Sequence, residues 1–321
     1  MCINMYKLLI RLCLLLLVLL AISGCSKKVV EIVATSWSDD AEEISFLERR
    51  YDSTYSGSDN NPKNVEFRIG IVDVNGDNKK YVTGYFERGS RTDRLYDRHE
   101  LQYKSTAGYH LVRMGDSGSF SVNVDGDLFT DVYEYFIYDV EGNNIHKIVK
   151  DPQQYCGLLS HHHPSIRVMP SPSGNLVARV EATVDCELEI AILDYTQNFK
   201  TLSSRRITGG SIGGLFWVDD GNLLINACPS TFCPGNWYLI RPEEEGSISI
   251  NIELFHSLCL AGSIVSSDIN SSGEKIDWSN SESKLEIVEV DNYDYTELWS
   301  RRNSGTRKPD DPENCVSIET I

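Results

Sequence analysis

Three adjacent histidines, His161, His162 and His163, form the densest local cluster of metal-binding side chains in the sequence. Neutral imidazole is a common ligand of Zn²⁺ and Cu²⁺. Adjacent side chains on an extended chain point in different directions, so at most two of the three would bind one ion without a bent loop. Pro164 follows the cluster and favours an exposed loop. We therefore predict no cofactor, with zinc or copper capture as the alternative.

A second cluster offers oxygen ligands, at Asn123, Asp125, Asp127 and Asp131. Calcium binds where several carboxylates converge through a tight turn. The spacing resembles the calcium loops of integrin-type β-propellers, and Asp73-Val-Asn-Gly-Asp77 repeats part of it. Asn-Gly and Asp-Gly are also ordinary hairpin turns, so calcium stands here as an alternative to a plain turn.

Two serine motifs match hydrolase patterns but lack the surroundings that those enzymes need. Gly209-Gly-Ser-Ile-Gly213 fits the nucleophile elbow of α/β hydrolases, but a further strand-like run follows it where a helix is required. Gly115-Asp-Ser-Gly118 resembles the nucleophile loop of chymotrypsin-like proteases, whose His and Asp precede the serine. His99 and His110 lack the motif that surrounds those partners. The sequence therefore predicts no catalytic residue.

The cysteines point to an oxidising compartment. Besides Cys25, the mature chain contains six cysteines: Cys156, Cys186, Cys228, Cys233, Cys259 and Cys315. An even number in an exported chain predicts disulfides. Cys228 and Cys233 flank a predicted turn between two strands, so a local bridge is the favoured pairing there. A zinc knuckle would need a second close pair, and the pairing of the other four cysteines stays open.

The first 25 residues have the pattern of an export signal. Lys7 and Arg11 supply positive charge, and a short apolar run from Leu12 ends in Ile22-Ser-Gly-Cys25. The run is too short to span a bilayer comfortably. Ile22-Ser-Gly-Cys25 resembles the bacterial lipoprotein processing box. The resemblance implies cleavage before Cys25, a diacylglyceryl thioether with an N-acyl chain, and anchoring to a membrane of the cell envelope. Ser26 favours the outer membrane if the bacterium has two membranes.

The elements that would position these groups repeat along the chain. A turn glycine followed by a strand-like run recurs about every 50 residues, at Gly118, Gly174, Gly221 and Gly273. Second hairpins turn near Gly142, Gln197-Asn198, Gly246 and Asp291-Asn292, and an earlier one turns at Asn75-Gly76. Alternation with period two predicts antiparallel strands. Four strands per repeat are typical of a β-propeller, in which neighbouring sheets bury each other's faces; an ordinary β-sandwich is the alternative.

Two motifs carry a resemblance to a known family. Ser171-Pro-Ser-Gly174 with Asn175-Leu-Val-Ala178, and Phe216-Trp-Val-Asp-Asp-Gly221 with Asn222-Leu-Leu-Ile225, resemble a hairpin of TolB-like periplasmic propellers. The stretch from Phe67 to Asn78, followed by Tyr81-Val-Thr83, resembles their next hairpin. The resemblance covers residues 64–300. It implies a propeller that grips protein or peptide partners at one end of its central channel.

These features divide the chain into four parts. Residues 1–24 are predicted as a signal peptide, and 25–63 as a lipidated tether. Within the tether, Val29–Val33 is a candidate ring-closing strand and Asp40–Tyr51 a short helix with Ile44, Leu47 and Tyr51 on one face. Residues 64–300 are predicted as a propeller of five or six four-stranded blades. Residues 301–321 form a polar tail in which a closing strand could begin at Cys315.

Composition narrows the function. The 321 residues carry a formal net charge of −17, which argues against nucleic-acid binding and against lying flat on anionic lipid. We expect a lipid-anchored, non-enzymatic scaffold for an envelope protein or peptide. The alternatives are a glycosidase-like or lyase-like propeller enzyme acting at the channel mouth, which would show convergent acids with raised pKa values, and a metal-binding lipoprotein that uses His161–His163.

Overall fold

The structure is a computed structural model that describes residues 27–53, 63–87, 97–116, 133–149, 166–183, 185, 187–209, 211–228, 236–244, 246–250, 274–279 and 284–289. These residues form nineteen β-strands and one 3₁₀ turn, and none of them lies in an α-helix. The strands make five antiparallel sheets that follow one another in chain order. The predicted all-β fold class is confirmed.

The strand bounds are as follows. The first sheet contains β1 (Lys27–Trp37), β2 (Glu43–Ser53), β3 (Lys63–Asp73), β4 (Lys80–Tyr81) and β5 (Phe86–Glu87). The second contains β6 (Asp97–Lys104), β7 (Tyr109–Asp116), β8 (Tyr133–Asp139) and β9 (Asn144–Val149). The third contains β10 (Ile166–Pro170), β11 (Leu176–Ala182), β12 (Glu187–Asp194) and β13 (Lys200–Thr208), with the 3₁₀ turn at Tyr195–Gln197. The fourth contains β14 (Ser211–Asp219), β15 (Asn222–Cys228), β16 (Asn236–Ile240) and β17 (Ile248–Ile250), and the fifth contains β18 (Glu274–Ser279) and β19 (Lys284–Glu289).

The sheets are buried on both faces, as β12 illustrates. Leu188, Ile190 and Ile192 point into the apolar layer shared with the fourth sheet, and Ala191 and Leu193 point into the layer shared with the second. Successive side chains on a strand project to opposite faces, so an apolar residue at nearly every position requires cover on both sides. Fully burying one such side chain contributes about 1.5–3 kcal/mol. Stacking of sheet on sheet supplies this cover.

Among the described residues, three apolar layers lie between sheets that follow each other in the chain, and a fourth lies between the fifth sheet and the first. The layer between the first and second sheets contains Leu47, Phe67, Ile69, Leu101, Val112, Met114, Phe136 and Tyr138. The layer between the second and third sheets includes Tyr109, Ile137, Val168 and Leu193, and that between the third and fourth includes Ile190, Leu215 and Ile225. The last layer joins Ile276 of the fifth sheet to Ile32, Trp37, Ile44, Phe46 and Val72 of the first.

This last layer places the fifth sheet against the first. The first strands of neighbouring sheets contact each other, as β1 does β6 and β10 does β14. The second strand of a sheet also contacts the first strand of the next, as β2 does β6 and β11 does β14. β18 contacts β1 as well. The fifth sheet therefore lies beside the first, and the molecule is a β-propeller.

The predicted turns at Gly76, Gly142, Gly174, Gln197-Asn198, Gly221 and Gly246 are confirmed. Gly174 shows why one of them needs glycine. Its φ of +79° lies in the left-handed region, and an added Cβ would stand 2.8 Å from the Cβ of Ala107 and 3.0 Å from that of Lys104 in the second sheet. The turns predicted at Gly118, Gly273 and Asp291-Asn292, and the strand predicted from Cys315, lie outside the described residues.

Three expectations need correction. Residues 43–53 form strand β2 instead of the predicted helix over 40–51, and β2 pairs with strands on both sides. Because β2 buries apolar residues on both faces, its sequence does not show the two-residue alternation of a half-buried strand. Val29–Val33 belongs to β1, which opens the first sheet, so the propeller begins well before residue 64. The first hairpin of the second sheet turns at Gly108, where no turn was predicted.

Candidate functional site

Most of the sequence-predicted site residues lie outside the described residues: Cys25, Cys156, Cys186, Cys233, Cys259, Cys315, His161, His162, His163, Asn123, Asp125, Asp127 and Asp131. Cys228 is the last residue of β15, and its side chain is also outside the description. Among the residues that the structure describes, no group of His, Cys, Asp or Glu is arranged to hold a metal ion. The same residues contain no helix with the length and apolar character needed to cross a membrane.

The turns that join first to second and third to fourth strands lie together on one face of the ring, which we call the turn face. At the boundary of the first two sheets, Asp39 Oδ2 accepts a hydrogen bond of 3.1 Å from Thr106 N, and Ser105 Oγ accepts one of 3.0 Å from Asp39 N. Lys104 Nζ lies 3.3 Å from Asp39 Oδ1 and donates to Pro172 O at 3.0 Å in the third sheet. One lysine thus links three consecutive turns.

The third and fourth sheets are joined in a similar way. Asp220 Oδ1 accepts a 3.1 Å hydrogen bond from Ser173 N, and Met169 O accepts one of 3.0 Å from Trp217 Nε1. Arg205 of β13 donates to the carbonyls of Arg241, Glu244 and Gly246, which form the next sheet's outer turn. These contacts join the turns of the first four sheets to one another.

The described acidic side chains act as hydrogen-bond acceptors. Six of the described carboxyl groups have a pKa that departs clearly from its ordinary value, and in all six the pKa is lowered. They are Asp40, Glu48, Glu66, Asp139, Asp194 and Asp220. For Asp220, burial raises the pKa, but hydrogen bonds from Ser173 outweigh that effect. A general acid in a glycosidase needs a raised pKa instead, so these six groups are suited to holding structure and binding cations.

The most distinctive cluster of functional side chains lies on the outer half of the first sheet, on the face directed toward the fifth. Cross-strand pairing sets Glu48 opposite Arg68 and Arg50 opposite Glu66. Tyr81 and Tyr85 come from the outer strand of the sheet, which consists of β4, β5 and the irregular stretch between them. We call these six residues the arginine–tyrosine patch.

An irregularity in the outer strand brings the two tyrosines together. Tyr81 pairs with Gly70 and Phe86 pairs with Phe67, so the outer strand has two more residues than β3 over this stretch. Thr83 stabilises this bulge of the outer strand, because its Oγ1 accepts a hydrogen bond of 2.9 Å from Ile69 N. Both rings reach Arg68.

Glu48 is the centre of the patch. It is 3% exposed, and its carboxylate accepts hydrogen bonds from Arg68 Nε at 2.6 Å, Tyr85 OH at 2.6 Å and Tyr81 OH at 3.0 Å. Burial raises the pKa of Glu48, but these three donors outweigh it and leave the pKa below its ordinary value. A buried carboxylate with three donors is fully paired, so Glu48 serves to orient the arginine and the tyrosines.

The two arginines stack on the tyrosine rings. The guanidinium carbon of Arg68 lies 3.3 Å from the ring centroid of Tyr81 and 4.4 Å from that of Tyr85. The guanidinium carbon of Arg50 lies 3.4 Å from the centroid of Tyr85, and its Nε donates to Glu66 at 2.6 Å. Stacking and ion pairing fix both guanidinium groups before any ligand arrives.

The tyrosines of the patch are poorly suited to proton transfer. Burial and the bond to Glu48 raise the pKa of Tyr85 to about 12 and also raise that of Tyr81, so neither phenol is a base at neutral pH. Glu48 stays ionised and fully paired. The guanidinium N–H groups and the tyrosine faces are the parts of the patch that a partner could contact.

The sequence offered only an indirect sign of this patch. Glu66 and Arg68 alternate with apolar residues, whereas Glu48, Arg49 and Arg50 are consecutive, and opposite charges share one strand face only once the register is known. The register of β2 was hidden by the helix expectation, and the bulge is visible only in the structure.

The fold and the patch together define the class: a β-propeller with a preformed arginine and tyrosine surface. No family model matches the chain, and no curated protein matches it.

Among solved structures, the chain is similar to the β-propeller domain of the Trilobed protease from Pyrococcus furiosus, at 11% identity and a TM-score of 0.37, covering 70% of this chain and 57% of that one. It is also similar to Porphyromonas gingivalis dipeptidyl peptidase 4, at 13% identity and a TM-score of 0.40, covering 68% of this chain and 30% of that one. A third is the periplasmic gluconolactonase PpgL of Pseudomonas aeruginosa, at 11% identity and a TM-score of 0.30, with 80% and 73% covered. The chain spans less than two thirds of the first two proteins, and at such low identity their activities do not transfer to it.

Proposed function

We propose that this chain is a non-enzymatic binding scaffold of the bacterial cell envelope, held to a membrane by lipid on Cys25, with a protein or peptide as its partner. The observation that carries the proposal is the arginine–tyrosine patch. Arginine and tyrosine are enriched at the energetic centres of protein interfaces, because they combine large contact area with hydrogen bonding. The four patch residues with those side chains are held rigid by Glu48 and Glu66.

Preorganisation is what makes the patch suited to this role. A partner that docks on free, flexible arginines loses affinity to side-chain ordering, at about 0.5–1.5 kcal/mol for each side chain fixed. Here that ordering is complete in the unbound protein. The proposed lipid on Cys25 would confine the whole propeller to a membrane surface.

Site-specific photo-crosslinking in the native host tests the proposal. Lys79 is exposed beside the patch, with its Nζ 4.7 Å from the ring centroid of Phe46 and 5.4 Å from that of Tyr81. A photoreactive amino acid at position 79 of the full-length chain is expected to join it to a discrete second protein.

Two controls make the outcome specific. Leu202 is 46% exposed on β13, in the third sheet, and the same probe there is expected to give no such adduct. A Cys25→Ser chain is expected to leave the membrane fraction and to lose the adduct at position 79. Adducts of equal yield at both positions, or a Cys25→Ser chain that stays in the membrane fraction, would contradict the proposal.

A further inference from the structure

We infer that the propeller contacts the membrane with the face opposite the turn face, so that the turn face is directed into the aqueous compartment. We call this opposite face the base face. It contains the start of β1 at Lys27 and the end of β2 at Ser53, which pair with each other. The inference rests on the lipid proposed at Cys25 and adds which surface of the protein meets the bilayer.

The chain between the proposed anchor and the fold is very short. The sequence predicts a tether over residues 25–63, but β1 already begins at Lys27, and only Ser26 separates it from Cys25. Two residues of extended chain span at most about 7 Å. A lipid on Cys25 would therefore hold the start of β1 close to the lipid headgroups.

The direction of β1 decides which face is held there. From Lys27 the strand runs to Trp37 and enters the turn of Asp39, which bonds to Thr106 in the turn after β6. β1 has eleven residues and the neighbouring β6 has eight, so within the described chain β1 extends beyond β6 on the base face. The anchored end is therefore not recessed behind β6, and the turn face lies roughly 30 Å from it.

The side chains beside the anchored end suit the headgroup region of a bilayer. Lys28 is exposed, and Val30 is 53% exposed, the highest value among the large apolar side chains that the structure describes. A lysine near the surface is attracted to anionic headgroups. An apolar side chain at the boundary of headgroups and acyl chains is stabilised by burial there. Both side chains therefore favour contact of this end with lipid.

The turn face has the opposite character. An anionic leaflet has a negative surface potential, which repels a surface rich in carboxylates. The described turns of the turn face contain mainly acids among their charged residues: Asp39, Asp40, Glu42, Asp77, Glu141, Asp220, Glu243 and Glu244, with the bases Lys79 and Arg241. Charge and the short linker therefore favour the same orientation, which leaves position 79 open to a partner from the aqueous side.

Fluorescence quenching in vesicles tests the orientation. Full-length acylated protein carries a fluorescent amino acid at position 28 or at position 141. The vesicles contain phosphatidylcholine, phosphatidylglycerol and a phosphatidylcholine that is spin-labelled on its headgroup. Lys28 is exposed near the start of β1, and Glu141 is exposed in the turn between β8 and β9, on the turn face. Quenching is expected to be at least about threefold stronger at position 28, because the two faces lie roughly 30 Å apart.

A longer linker is the matched control. Inserting about twelve Gly and Ser residues between Ser26 and Lys27 adds a flexible chain whose ends are about 19 Å apart. With this insertion, quenching at position 28 is expected to fall toward that at position 141, while the protein stays bound to the vesicles. A melting curve for each variant checks that the fold is intact.

Three results would overturn the inference. In a chain whose acyl mass is confirmed, equal quenching at the two positions, or stronger quenching at position 141, would reject the orientation and leave the anchored scaffold in place. Quenching at position 28 that the longer linker leaves unchanged would show that the short linker does not set the orientation. A full-length chain without acyl mass on Cys25 would remove the anchor from the proposed function, and this orientation with it.

Discussion

Replacing Gly142 with alanine is expected to destabilise the protein by at least about 3 kcal/mol. Gly142 lies in the turn between β8 and β9, with a φ of +88°, so any Cβ there is strained. A Cβ would also overlap the carbonyl oxygen of Val82 in the first sheet and stand 3.3 Å from Thr83 Cα. Those backbone atoms cannot easily yield, because Val82 N and Thr83 N both donate to Ile69 O.

Gly76→Ala separates the two contributions. Gly76 has a similar φ of +82° in the equivalent turn of the first sheet, and nothing lies within 4 Å of its added Cβ. It is expected to lose only about 1 kcal/mol, from backbone strain alone. Denaturant unfolding of both variants measures the difference, which reports the packing of the second sheet on the first. Equal losses for the two variants would mean that the two sheets do not meet there.

Acidification is expected to destabilise the protein through His110. This side chain is fully buried and stacks on Tyr103, with ring centroids 4.3 Å apart, and neither ring nitrogen has a hydrogen-bond partner among the described residues. Burial lowers the pKa of His110 to about 3, with a smaller contribution from Lys80, while Asp139 raises it slightly.

The pH window follows from the two states. The unfolded chain binds a proton at its ordinary pKa near 6.5, whereas the folded chain resists protonation down to about 3. Between these values the unfolded state holds more protons, so stability falls as the pH falls. At about 1.4 kcal/mol per pH unit, the loss from pH 7 to pH 5 is about 2 kcal/mol.

Chemical denaturation of wild type and of His110→Phe at pH 7, 6 and 5 checks this expectation. Phenylalanine keeps an aromatic ring against Tyr103 and cannot titrate, so the variant is expected to lose clearly less stability than wild type between pH 7 and pH 5. His146→Phe is the comparison, because His146 also stacks on a ring, that of Phe199, but is only half-buried. An unchanged slope in His110→Phe would remove His110 as the source of acid sensitivity.

The turns were the part of the fold most open to prediction from sequence. Gly142, Gly174 and Gly246 all adopt positive φ, a local requirement that glycine next to polar residues signals directly. Gly108 was missed because Ser105-Thr-Ala-Gly108 lacks the proline, aspartate or asparagine that marked the other first hairpins. Local turn chemistry therefore predicts a hairpin only when it differs clearly from the flanking strands.

Strand β2 and the candidate site could not be predicted in the same way. In β2, Ile44 and Phe46 pack toward the fifth sheet and Leu47 toward the second, so burial on both faces obscures the period of a strand. The arginine–tyrosine patch depends on the register of three strands and on a bulge. Clusters that are contiguous in sequence, such as His161–His163, are easy to see, whereas a site assembled by strand pairing requires the structure.

The ring itself is the central claim, and a double-mutant cycle between Ile32 and Ile276 tests it most directly. These residues are far apart in sequence, on β1 and β18, and meet in the layer between the first and fifth sheets. Ile32→Ala and Ile276→Ala are expected to show a coupling free energy of at least about 1 kcal/mol. Ile32 and Ile225, which lie in different layers, are the control pair and are expected to be additive. Additivity of Ile32 and Ile276 within about 0.3 kcal/mol would contradict a closed ring.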